Sequence, residues 1–260
     1  MSHGLHLAND AAGHGAGSLN VTLVAPTPGP SAAAPVAPLV QRPTHHTPAS
    51  RAIPLASGLR YDQLLAYIAE RPSLSILEIG VARAANTMRM LAFADWLGGK
   101  PRYTGIDLFG SLTDQQFEQS YCSANKRPMS RDATLANLRL LLGDDIAGRI
   151  ELLEGLSHNV LPRLLARGRK YDLIFIDGGH SYEDVSSDWL SCQQLLAPGG
   201  TIAFDDYPNW GVGPTVAEID PARWQVRVLP QRDSFQNHRT DEDPSPVRHH
   251  QLVEARRRAG

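Results

Sequence analysis

Cysteine is scarce: Cys122 and Cys192 are the two in 260 residues, seventy positions apart, with no CxxC pair and no histidine at metal-finger spacing. That excludes a disulfide framework and a zinc finger, and both read as reduced thiols. Long hydrophobic runs are also missing. The most apolar stretches, such as Leu173 to Ile176, fall far short of the roughly 20 residues a bilayer-crossing helix needs. Nor is there an excess of charge of either sign: 25 Lys+Arg face 27 Asp+Glu, a formal −2. Nucleic acid and anionic membranes, which attract clustered positive charge, are therefore not expected partners. Met1 to Val24 has no basic start leading into an apolar run, so no secretory signal is expected and the reading is cytoplasmic.

What is present is a globular composition, 42% hydrophobic and 20% charged. It is unevenly spread. The first fifty residues hold seven of the 19 prolines, five of the ten histidines, and only Asp10 and Arg42 as charged residues. Residues 25–54 alternate Pro with Ala, Ser and Thr and have no apolar periodicity to offset ordering entropy, so residues 1–55 are expected to be a disordered arm. Residues 56–230 are expected to form the catalytic domain, and 231–260 a polar C-terminal segment.

From Ser57 a capped, one-sided apolar stripe (Leu59, Leu64, Leu65, Tyr67, Ile68) predicts a helix ended by Arg71-Pro72. Strand and helix patterns then alternate. SILEIG, RYTGIDLF, RIELLEG, YDLIFIDGG and GTIAFDD read as strands; Asn86–Leu97, Asp132–Leu142, Asn159–Arg167 and Tyr182–Leu196 read as helices. The fold class this implies is α/β: a doubly wound, Rossmann-like, mostly parallel sheet with helices on both faces. After Pro214 a short helix to Ile219 and a strand WQVRVL are expected, while HHQLVEARR fits either a closing edge strand or a frayed helix.

In such a sheet, ligands bind at the carboxyl ends of the strands. Glu78 and Gly80 close the first strand, and Asp107 closes the second, 27 residues after Gly80. An acid there is placed to accept hydrogen bonds from a ribose, with the glycine letting a ligand approach the turn. EIGVARA is not GxGxxG, since Ala82 and Ala84 stand where further glycines would, so a dinucleotide pyrophosphate cradle is not indicated. Asp177 ends the fourth strand and Asp205 and Asp206 the fifth. Three converging carboxylates call for a cation, and hard oxygen ligands suit Mg²⁺ or Mn²⁺; the alternative is that Asp205 caps a turn and Asp206 is solvated. His180, three residues beyond Asp177, has the residue type of a general base near neutral pH, with metal ligand or helix-start histidine as its other readings.

SILEIGVARAANT, YTGIDLF, LLEGLSHNVLPRL, YDLIFIDGGHSYEDVSSDW and LLAPGGTIAFDDY, in that order, resemble the class I S-adenosylmethionine-dependent methyltransferases, and among them the macrocin O-methyltransferase branch. The resemblance covers about residues 57–230. It implies a methyl transfer to a hydroxyl of a small natural product, a sugar or a phenol, with a small-molecule acceptor as partner and with homo-oligomerisation left open. It places Glu78, Gly80 and Ala82 beside the methionine part of S-adenosylmethionine, Asp107 on its ribose, and Leu108 with Gly155, Leu156 and Ser157 around its adenine. Asp177, Asp205 and Asp206 match the family's metal ligands, and His180 its base position. The same scaffold also serves non-methylating enzymes and non-catalytic cofactor-binding domains.

Overall fold

In β1 (Ser75–Ile79) four successive residues from Ile76 are buried, the mark of a strand covered on both faces. Ile76 packs into one core cluster, whereas Leu77 and Ile79 pack into another. The same division by parity recurs in β4 (Tyr171–Ile176), where Leu173 and Phe175 face the first cluster and Ile174 and Ile176 the second. The chain is described by a computed structural model covering residues 60–111, 128–236 and 247–259. The expected arm (1–55), the Ser57 cap and Cys122 lie outside the described residues.

A 3₁₀ turn at Arg60–Gln63 leads into α1 (Leu64–Glu70), and α2 (Ala85–Trp96) follows β1. Then come β2 (Arg102–Asp107), α3 (Arg131–Leu142), β3 (Ile150–Glu154), α4 (Ser157–Ala166), β4, α5 (Tyr182–Leu195), β5 (Leu196–Tyr207) and α6 (Val212–Ala217). β6 (Trp224–Gln236) and β7 (Val247–Arg257) complete a seven-stranded sheet of order β3-β2-β1-β4-β5-β7-β6. The first five strands are parallel, as expected, and order reverses between β1 and β4. Caps fix two helix starts: Ser130 Oγ accepts the Ala133 N–H at 3.2 Å, and Ser181 Oγ the Asp184 N–H at 3.0 Å. Glu183 and Asp184 occupy the first turn of α5, where the macrodipole favours acids. The short helix near Pro214 starts earlier than expected, at Val212, because a proline in the first turn removes an N–H that has no intrahelical partner anyway.

The C-terminal expectation needs correcting. HHQLVEARR is strand, but not the edge: β7 is antiparallel to both β5 and β6 and lies between them, leaving β6 outermost. Among the described residues beyond 230, β6 runs straight across residue 230 and β7 pairs with it, so both belong to the sheet. The sequence concealed this because two of β7's buried residues are polar. His250 is 6% and Glu254 5% exposed, each held by side-chain partners, and these interrupt the apolar run of Leu252, Val253 and Ala255.

Candidate active site

Parallel register brings the predicted residues to one rim. Gly80 N–H donates to Ile106 O at 2.9 Å, Gly155 N–H to Asp107 O at 2.9 Å, and Asp177 N–H to Ile79 O at 2.8 Å. The ends of β3, β2, β1 and β4 are therefore stitched side by side. Gly80 has φ +91°, and a Cβ there would sit 1.9 Å from Asp177 O, so no side chain fits where β1 passes β4.

Asp107 organises the first turn. Its Oδ2 accepts the N–H groups of Val81 (2.7 Å) and Ala82 (2.8 Å), and its Oδ1 that of Phe109 (2.8 Å). Ala82 and Ala84 both adopt positive φ, +48° and +58°, so the turn keeps a glycine-like backbone although the glycines are missing. Glu78 points elsewhere. It is 1% exposed, and its carboxylate accepts from Asn86 Nδ2 (3.3 Å), Thr87 Oγ1 (2.5 Å) and the Tyr103 hydroxyl. Burial pushes its pKa up to about 7 against these hydrogen bonds. Asn86 and Thr87, two of its three partners, lie in the first turn of α2, so Glu78 ties the end of β1 to the start of that helix.

On the other side of Asp107 the rim is apolar. Leu108 is half-buried and Leu156 is 45% exposed, the latter beside Gly155 in an open φ of +140° and one residue before Ser157 begins α4. An exposed leucine next to a ribose-competent carboxylate is the chemistry a nucleoside base requires. These residues fit S-adenosylmethionine.

The acidic half assembles as expected, and with more company. Oxygens of Asp177, Asp205 and Asp206 lie within 4.8 Å of one another. Asp205 is gripped by Arg60, Nε to Oδ1 at 2.5 Å and Nη2 to Oδ2 at 2.7 Å, and its Oδ2 also accepts from the Tyr61 hydroxyl at 2.7 Å. Arg60 Nη2 reaches Asp206 Oδ1 at 3.2 Å, and Nη1 reaches Asp233 Oδ2 at 3.0 Å. Asp206 also pairs with His250 Nδ1 at 2.6 Å and His180 Nε2 at 3.1 Å. Burial works to raise the Asp206 pKa, but the two histidines and Arg60 outweigh it and hold the carboxyl well below its usual range. Asp177 goes the other way, raised well above its ordinary value by burial and by the charges of Asp205 and Asp206. Asp206 sits at φ +60°, a strained position held by these contacts.

His180 lies parallel to Trp210, ring centroids 4.4 Å apart and 8° between planes, with the Arg248 guanidinium 4.7 Å from the Trp210 centroid. Nε2 is the ring nitrogen that faces Asp206.

A divalent metal does not fit this arrangement. Both oxygens of Asp205 and both of Asp206 already serve Arg60, Tyr61, His180 or His250. A dication about 4 Å from a guanidinium is repelled by on the order of 8 kcal/mol at an effective dielectric of about 20. Among the described residues, the guanidinium paired with these carboxylates is that of Arg60. Sequence reasoning missed Arg60, Tyr61, Asp233 and His250, which come from the first described turn and the last hairpin; no local motif links them to the rim.

A family model for a methyltransferase domain matches residues 77–207, from β1 to the end of β5. Uncharacterized protein R132 of Acanthamoeba polyphaga mimivirus is 31% identical over 71 residues, 27% of this chain and 27% of the relative, so the chain covers about a quarter of that relative's length. A proposed O-methyltransferase of Klebsiella pneumoniae aligns in structure with a TM-score of 0.50 at 17% identity, over 82% of this chain and 84% of that one. The O-methyltransferase TomG of Streptomyces achromogenes, solved with S-adenosylmethionine, is similar at a TM-score of 0.43 and 21% identity, over 73% and 75%. With the matched span carrying Gly80, Asp107, Asp177, Asp205 and Asp206, the chain belongs to the methyltransferase domain family.

Proposed function

We propose that this chain is an S-adenosylmethionine-dependent O-methyltransferase acting on a hydroxyl of a small molecule, a sugar or a phenol. One observation carries the reading: a half-exposed histidine, His180, paired with a buried carboxylate through Nε2 and stacked on Trp210, follows the end of β4, where Asp177 N–H donates to Ile79 O beside Gly80. The cofactor, when bound, supplies a methyl group activated on a sulfonium. Asp107 and the turn it pins hold the ribose side, and Leu108 and Leu156 face the base. His180 Nδ1 takes the hydroxyl proton as the acceptor attacks. Asp206 keeps the imidazole aligned and stabilises its charged form, and much of the rate advantage comes from holding nucleophile and methyl in line. No step runs through a metal.

The test uses methyl-labelled S-adenosylmethionine with a panel of sugars and phenols. Label should pass to a hydroxyl acceptor, and His180→Gln should lower kcat about 10²- to 10⁴-fold with little change in cofactor affinity. Absence of S-adenosylmethionine binding by calorimetry would sink the proposal; unchanged turnover in His180→Gln would remove the base.

A further inference from the structure

The carboxylate cluster gathers four acids, Asp177, Asp205, Asp206 and Asp233, around one guanidinium. Arg60 is 4% exposed, and its nitrogens serve three of them: Asp205 through two parallel bonds, Asp206 at 3.2 Å, and Asp233 at 3.0 Å. Its backbone N–H also donates to both Asp233 oxygens, at 3.1 and 3.2 Å, so main chain and side chain are fastened together. A bidentate Arg–carboxylate pair is the strong, geometrically specific form of the interaction, and a buried guanidinium remains charged. The Tyr61 hydroxyl completes the coordination of Asp205 Oδ2.

We propose that Arg60 is the resident cation of this cluster, taking the place of a divalent ion and excluding it. The spacing that makes Asp177, Asp205 and Asp206 look like ligands is then the spacing around a guanidinium. Arg60 acts as a positioning residue: by holding Asp206 it fixes the carboxylate that aligns His180. The inference concerns which cation fills the cluster and is read without turnover, so it stands or falls separately from the methyl-transfer proposal.

Titration of the full chain with Mn²⁺, followed by the loss of the free-ion electron paramagnetic resonance signal, reads it directly. The quantity that matters is the binding that disappears in Asp205→Asn, which sets aside ions taken up elsewhere on the chain. The wild type should show no such binding at sub-millimolar Mn²⁺, and Arg60→Met should gain it, by tenfold or more in affinity. Asp205-dependent Mn²⁺ binding in the wild type would overturn the proposal. So would a folded Arg60→Met that gains none, because Arg60 would not then be what excludes the ion. Should Arg60→Met not fold, Arg60→Gln tests the same gain, and the wild-type titration retains its power to refute.

Discussion

At Glu78 a carboxylate 1% exposed, with pKa raised to about 7 by burial, predicts an unusual pH response. Its folded pKa lies above the ordinary value of about 4.5, so the folded state binds the extra proton between the two. Stability is then greatest at the acid end of that window and is lost as pH rises through about 7, by about 3 kcal/mol from this group. Denaturant unfolding at pH 5 and pH 8 should show the decline, and Glu78→Gln should flatten it. Asp107 predicts a different effect. Replacing it with alanine leaves the Val81, Ala82 and Phe109 N–H groups without their acceptor, each bond contributing about 1 kcal/mol. Calorimetry should show S-adenosylmethionine affinity weakened by at least tenfold. Both residues could be picked from the sequence as strand-end acids, but their divergent roles could not, because alternation along a strand does not say which end carboxylate turns inward.

Among the elements, the β1–α2 connection and the β6–β7 hairpin bear the most. Gly80→Ala would place a Cβ against Asp177 O at a positive φ, and a loss of about 2–4 kcal/mol is expected in thermal or denaturant unfolding. β7 lies between β5 and β6, and its Leu252, Val253 and Ala255 are fully buried. Leu252→Ala should therefore cost about 2–5 kcal/mol, whereas a leucine on a frayed terminal element would cost almost nothing. Far-ultraviolet circular dichroism melts distinguish the two. The parallel half of the sheet was legible because doubly covered strands are continuous apolar runs closed by glycine or aspartate. β7 was not, because His250 and Glu254 are satisfied by Asp206, Tyr67 and Arg227, partners distant in sequence.

Across the whole molecule, the site joins chain segments that start at Arg60 and end at His250, so ligand binding and global stability are coupled. S-adenosylmethionine at a hundredfold excess over Kd should stabilise the fold by about 2.7 kcal/mol, visible as a raised Tm. Chelator should leave both that shift and methyl transfer unchanged, since Arg60 supplies the positive charge in the cluster. By itself the sequence determined the strand–helix alternation, the parallel core and the acids that end its strands, because apolar periodicity and turn residues act over a few positions. Only the tertiary structure decided what those acids do. The guanidinium that pairs with Asp205 and Asp206 comes from a residue 145 positions away from the first of them, and the imidazole that shares Asp206 with His180 lies 44 positions beyond it. Coulombic partnership depends on distance in space, and no local pattern in the chain records it.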